Sequence, residues 1–291
     1  MPLPTDFAFS QGSLQDYVDC PRRFQLRYVE RVAWPAIEVE PLLENERYLQ
    51  QGVAFHRLVH QHALGVPAAQ LTTAASKRHE RNENMDLLHW WRNYLESRPA
   101  NLPAVRYPEI VLSAPLGGYR LLAKYDLVAV DPEQRVVIVD WKTSRKRTPR
   151  RWLEERLQTK VYPYLVVVAG ARLNGGRALA PRQVTMIYWF ADFPADPEHF
   201  AYDAARHETD AAYLTALVEE IAGLGDEFFP RTANERRCRY CPYRSLCQRG
   251  VAAGRFDEVG AGLRPASGDP PLLGDALDIS LDLEQIAEIE Y

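Results

Sequence analysis

The chain has 291 residues, 46% hydrophobic and 25% charged, ordinary proportions for a soluble globular protein of one large domain or one domain with appendages. No apolar run approaches the roughly 20 residues of a membrane span, and the opening MPLPTDFAFS carries no charged and then apolar leader, so a cytoplasmic, non-membrane location is the expectation. The net charge of -4 argues on average against nucleic acid, but 257–291 holds nine acids and one base, which leaves 34 basic against 30 acidic residues elsewhere. A mildly basic folded unit over 1–250 and an acidic, flexible tail over 251–291 are therefore expected.

In Phe9 to Val32, FSQGSLQDYVDCPRRFQLRYVERV, Ser10 or Ser13 can cap a helix with Leu14, Tyr17 and Val18 on its apolar face. Pro21 breaks or kinks it, and Phe24, Leu26, Tyr28 and Val29 resume a helical segment, so Cys20 stands at the junction. Glu44 to Leu64 reads as a second helix, where His56 and His60 share a face at i, i+4. No glutamate completes a metalloprotease arrangement there, and His60 and His62 are better read as surface or packing residues. Ala68 to Ser97 reads as one polar helix whose late aromatics, Trp90, Trp91 and Tyr94, suit a core better than a nucleobase platform.

Val105 to Ala114 reads as a strand containing Glu109, and Gly117-Gly118 turns it into Tyr119 to Lys142, YRLLAKYDLVAVDPEQRVVIVDWK. Two apolar runs joined by Asp131-Pro132-Glu133-Gln134 predict a β-hairpin. Asp126 then lies within its first strand, and Asp140 and Lys142 share one face at the end of its second, with Trp141 on the other. Charged groups ending a Val-Val-Ile-Val run are costly to bury without a partner or a metal. The bases that follow, Arg145, Lys146, Arg147, Arg150 and Arg151, leave directly from this point; such a run is ordinarily a solvated face, and beside a metal that holds a phosphodiester it is expected to contact phosphate. Trp152 to Ala169 predicts a helix kinked by Pro163, with Gln158 and Tyr162 one turn apart.

Val184 to Phe190 predicts a strand, Phe200 to Tyr202 a short one, and Glu208 to Leu224 a helix with Tyr213, Leu214, Leu217, Val218 and Ile221 as its apolar stripe. A further short helix is expected over 282–289. Cys238, Cys241 and Cys247 in C-x2-C-x5-C offer three thiolates from one short stretch, and Cys20 is the remaining cysteine that can be a fourth. From the residues alone zinc and an iron-sulfur cluster both stay open.

Taken in order, these motifs resemble the RecB-like branch of the PD-(D/E)XK nuclease superfamily: Gly52-x-x-x-His56, Asp126, Asp140-Trp141-Lys142 and Gln158-x-x-x-Tyr162. One departure is visible, since relatives usually have a glycine a few residues before the first aspartate and this chain has Ala123-Lys124-Tyr125-Asp126. The resemblance implies an α/β fold with a mixed central sheet flanked by helices. It also implies that His56, Asp126, Asp140 and the carbonyl of Trp141 hold Mg2+ or Mn2+, that Lys142 orients the attacking water, and that Gln158 and Tyr162 flank the centre. The Cys-Pro segment around Cys20 resembles that of iron-sulfur members, which implies a 4Fe-4S cluster on Cys20, Cys238, Cys241 and Cys247 clasping the two ends of the chain, with zinc as the alternative.

The function so implied is that of a metal-dependent deoxyribonuclease, an exonuclease acting on DNA ends or single strands in repair, recombination or CRISPR-type processing. CRISPR-associated RecB-like exonucleases and the nuclease domains of RecB- and AddB-type proteins are the similar groups, and DNA, a helicase or CRISPR integration proteins are the implied partners. No G-x-x-x-x-G-K-S/T is present for a motor. Two rival classes stand beside this one: an inactive DNA-binding or scaffold subunit, and a zinc-stabilised interaction module.

Overall fold

The computed structural model describes residues 3–32, 42–80, 86–225 and 229–250; the expected acidic tail and its short helix lie outside them. The elements run β1 (Ala8–Ser10), α1 (Gln11–Asp19), α2 (Pro21–Phe24), α3 (Leu42–Ala63), α4 (Ala68–Glu80), α5 (Leu87–Ser97), β2 (Val105–Leu116), β3 (Tyr119–Asp131), β4 (Arg135–Lys142), α6 (Arg150–Glu155), α7 (Leu157–Ala169), β5 (Val184–Phe190), β6 (Phe193–Ala201) and α8 (Ala204–Gly223). This is the expected mixed sheet flanked by helices, its strands ordered β1-β3-β4-β5-β6 with β2 also on β3. No helix among the described residues is long and apolar enough to cross a membrane.

Local chemistry explains the element ends. Ser10 caps α1 by accepting the Ser13 N–H, while the Ser13 hydroxyl accepts the Ser10 N–H. Cys20 then turns extended and Pro21 starts α2 at a position that needs no N–H, so Cys20 is held at a bend between two helices. Gly117 and Gly118, both at positive φ, make the tight β2–β3 turn.

Some expectations need correction. The single helix read over Ala68 to Ser97 is two, α4 and α5, and the indole of Trp91 donates to the Thr72 hydroxyl at 2.8 Å because the chain folds back. The helix read over Trp152 to Ala169 breaks at Arg156, which is extended (φ -69°, ψ 142°), and Pro163 sits inside α7. There the side chain of Gln15 accepts the Leu157 N–H, so α7 begins afresh with its own N-terminal partner. Tyr213 does not join the apolar stripe of α8; it is 40% exposed.

Each face of the sheet has its own core. One buries Val136, Ile138, Tyr188 and Phe190 under α1, α7 and α8, and the other buries Val137, Val139, Trp141 and Trp189 under Phe55, Trp90, Trp91 and Tyr94 of α3 and α5. The alternation along β4 places Asp140 and Lys142 on the side of Ile138 and Trp141 on the opposite side, as the period of a strand requires.

Strand β3 departs from that regularity where it matters. Leu121, Ala123 and Tyr125 belong to the first core, and so do Val128 and Val130, but Leu127 belongs to the second, so the alternation slips by one residue at Asp126. On β2 the residue that would face Asp126 is Glu109, at φ 53°, a left-handed conformation that costs a non-glycine residue about 1–2 kcal/mol. The ladder between β3 and β4 also ends there, its last pair being Leu127 with Val139. β2 lines one whole edge of β3, so β1 (on Arg120 to Leu122) and β4 (from Leu127 on) share the other edge and leave a gap between them.

Candidate active site

That gap is a fork. β4 leaves β3 but stays paired with β5 through Asp140, Trp141 and Lys142. Asp126 closes the fork: its Oδ2 accepts the Trp141 N–H at 2.9 Å, the donor that has lost its strand partner, and its Oδ1 accepts from His56 Nδ1 at 3.0 Å. Asp140 stands across the fork, 4% exposed, against Gln158 and Lys142. Gln158 Nε2 donates to Asp140 Oδ1 at 2.7 Å, Lys142 Nζ donates to Gln158 Oε1 at 2.9 Å, and Lys142 Nζ lies 3.0 Å from Asp140 Oδ2. The break at Arg156 sets the phase of α7 so that Gln158 points at this pair.

Glu109, Asp126 and Asp140 therefore form a row of acids across three adjacent strands. Each has a cationic neighbour, respectively Lys124, His56 and Lys142. Burial alone would lower the His56 pKa, but Asp126 at contact distance, with Asp140 and Glu109 behind it, raises it to about 9. The Asp126 carboxyl, which burial pushes up, is held below its ordinary value by His56, the Trp141 N–H and Lys142. A cavity of about 290 Å³ opens over the row, and Ser10, Gln11, Arg57, Lys124, Arg156 and Tyr162 contribute to its walls.

Of the residues singled out from sequence, His56, Asp126, Asp140, Trp141, Lys142 and Gln158 come together here. Tyr162 lies one step back: its hydroxyl donates to the Lys124 carbonyl at 2.8 Å and its ring packs on Tyr125, so it fixes the strand next to Asp126. His62 is a packing residue, with Nδ1 3.0 Å from the Tyr94 hydroxyl. The bases after Lys142 are exposed but largely matched. Arg145 pairs with Asp86 at 2.8 Å, Arg147 with Glu198 at 2.5 Å, and Arg150 with both Glu198 at 3.0 Å and Glu154 at 3.2 Å, while Arg151 lies over Trp152. Lys124 and Arg156 carry no signal in the sequence, and Glu109 is there a lone acid on a strand; each acquires meaning from its neighbours at the fork.

Cys20, Cys238, Cys241 and Cys247 are free thiols, half-buried around one small cavity with Arg23, Arg231 and Arg244. The Thr232 N–H lies 3.5 Å from Cys20 Sγ, Arg22 N–H donates to Pro230 O at 3.1 Å, and Phe229 stacks on Phe24, so the two ends of the described chain meet at this point. Burial raises the thiols of Cys238, Cys241 (to about 11) and Cys247, and Cys20 raises each further. Four sulfurs around one cavity are a donor set suited to a thiophilic metal, and the row of oxygens with one imidazole suits a hard divalent cation. As placed, no three His, Cys, Asp or Glu among the described residues are gathered closely enough around one point to hold a metal ion.

A family model described as PD-(D/E)XK nuclease superfamily matches residues 8–248, a span that includes the acid row, Lys142, Gln158 and all four cysteines. The chain belongs to that superfamily. No curated protein matches. Among solved structures, the chain is similar to a protein from Eubacterium rectale described as a proposed exonuclease, at TM-score 0.50 and 10% identity over 87% of this chain and 93% of that one. SSO0001 also matches, at TM-score 0.41 and 16% identity over 84% of this chain and 87% of that one. At such identity the first of these speaks for the shared fold.

Proposed function

We propose that this chain is a divalent-metal-dependent deoxyribonuclease that hydrolyses phosphodiester bonds from DNA ends or in single strands. The observation that carries the reading is the fork: Asp126 and Asp140 face each other across it, with Lys142 held beside Asp140 by Gln158. Asp126, Asp140, the Trp141 carbonyl and the His56 imidazole would hold Mg2+ or Mn2+. That cation would supply charge neutralisation at the phosphate and acidify an attacking water. Lys142 orients the nucleophile and offsets charge that develops on the phosphate; Gln158 keeps the Lys142 ammonium in place. Tyr162 keeps the strand carrying Asp126 fixed through the Lys124 carbonyl. The exposed Arg145 to Arg151 segment offers phosphate contacts beside the same cavity, weakened by its pairing with Asp86 and Glu198.

In this proposal Cys20, Cys238, Cys241 and Cys247 ligate a 4Fe-4S cluster that ties the N-terminal helix to the C-terminal segment, with Zn2+ as the alternative at the same sulfurs. The description of the Eubacterium rectale protein favours action from ends over internal cutting. Linear and covalently circular single-stranded DNA test this together: the linear form should be degraded in Mg2+ or Mn2+ and the circle left intact. Degradation of both at equal rates would make the chain an endonuclease.

The acid row makes a separate prediction about metal uptake. With a pKa near 9, His56 is protonated at pH 7.5 in the metal-free protein and must lose that proton to become a ligand. Titration of Mn2+ by calorimetry in two buffers of different ionisation enthalpy should report release of about one proton per ion, falling toward zero in His56→Gln. No proton release by the wild type would remove His56 from the ligand set.

A further inference from the structure

The charge matching of the Arg145 to Arg151 segment raises the question of where a phosphodiester backbone finds unneutralised cations. A second cleft, of about 400 Å³, adjoins the fork on the side away from Thr143, Ser144 and Thr148. It shares His56, His60, Glu109, Asp126 and Trp141 with the first, so the two form one groove with the acid row at its middle. At its far end it is lined by Arg98, from the end of α5, and Arg106, near the start of β2.

Both arginines are exposed. Arg98 is steadied without being neutralised: its Nη1 donates to the Leu95 carbonyl at 2.8 Å and its guanidinium lies 5.5 Å from the centre of the Tyr94 ring. Neither Arg98 nor Arg106 forms an ion pair among the described residues, and Glu96, which also lines the cleft, pairs with neither. Their positive field reaches the floor of the cleft, where the His62 pKa is lowered first by burial and then by Arg98 and Arg106. A guanidinium presents a planar fork of donors that matches phosphate oxygens two at a time, and it stays charged at any working pH.

We propose that this cleft is the second arm of the substrate path, with Arg98 and Arg106 gripping backbone phosphates of a DNA strand on the opposite side of the scissile bond from the Arg145 to Arg151 segment. The proposal rests on the reading of the chain as a nuclease and adds where the strand lies. Neither arginine touches the reacting atoms, so both are positioning residues: they hold the strand in register over the fork, and a substrate too short to reach them gains nothing from them.

The test compares wild type with Arg98→Gln/Arg106→Gln, whose amides keep side-chain length and hydrogen bonding at exposed sites. Binding of a labelled single-stranded oligonucleotide in EDTA is measured against salt, and hydrolysis of bis(4-nitrophenyl) phosphate in Mn2+ is measured alongside. The expected result is a salt-dependence slope shallower by about 1.4, since each phosphate contact on a single strand contributes about 0.7, with hydrolysis of the small diester unchanged. A slope and Kd equal to wild type, with DNA cleavage by the wild type intact, would overturn the path and leave the nuclease reading standing. Shallower salt dependence in a protein whose wild type cleaves nothing would keep the path and remove the nuclease reading. Failure of the wild type to bind the oligonucleotide in EDTA would overturn the path, and DNA cleavage by the wild type in Mn2+ decides the nuclease reading separately.

Discussion

Lys142→Ala is expected to lower metal-dependent DNA cleavage by at least about 10²-fold, the scale of losing one preorganised charge-stabilising donor, while DNA binding is retained. Lys142 is the ammonium that Gln158 and Asp140 fix at the fork, and a freely rotating lysine would not serve. Asp140→Asn should lose cleavage as well, because an amide keeps the shape and the contact to Gln158 but withdraws the charge that attracts a divalent cation. Asparagine is the better choice than alanine at this position. Both members of the Asp140 and Lys142 pair are nearly buried, and deleting one partner of such a pair costs about 3–5 kcal/mol. Thermal melts separate the two losses: chemistry should vanish in variants that still unfold cooperatively. Wild-type rates in purified Lys142→Ala would remove the active site argued here.

In the proposed four-cysteine clasp, Cys20→Ser should cost the site its metal and destabilise the entire molecule. Cys20 lies more than two hundred positions from the sulfurs it faces, so ligation closes most of the chain into one loop. A covalent cross-link over such a loop is worth about 5 kcal/mol in the loop-entropy description, which for a chain of this size lowers the melting temperature by about 10 °C or more. The clasp also has its own packing, from Phe229 against Phe24 and Tyr17, so the variant should still fold at low temperature. Iron content and visible absorption of anaerobically purified protein distinguish a 4Fe-4S cluster from zinc. Full metal content and an unchanged melting temperature in Cys20→Ser would show that the clasp is held by packing alone.

Local signals carried much of this structure. The Asp131 to Gln134 turn, the period-two alternation of Val136 to Trp141 and the Ser10 cap all act within a few residues, so the hairpin, the shared face of Asp140 and Lys142 and the bend at Cys20 were readable. The core positions of Trp90 and Trp91 followed from apolar spacing in the same way. Non-local effects were not readable. Pro163 signals a kink in one continuous helix, yet the extended residue is Arg156, where Gln15 from a distant helix receives a new N-terminus. The slip at Asp126 and the left-handed Glu109 depend on three strands parting at one point, and no spacing in one strand encodes that. The acids that oppose Arg145, Arg147 and Arg150 include Asp86 and Glu198, each about fifty or more residues away along the chain, beyond the reach of local pattern.

The most direct measurement is hydrolysis itself: purified wild-type chain incubated with end-labelled single- and double-stranded DNA in Mg2+, in Mn2+ and in EDTA, with products resolved on denaturing gels. The expected result is progressive shortening of the labelled strand in at least one metal, none in EDTA, and none with Asp140→Asn in any condition. Undegraded DNA with wild-type protein in both metals, or equal degradation by Asp140→Asn, would contradict a phosphodiester-cleaving centre at Asp126, Asp140 and Lys142.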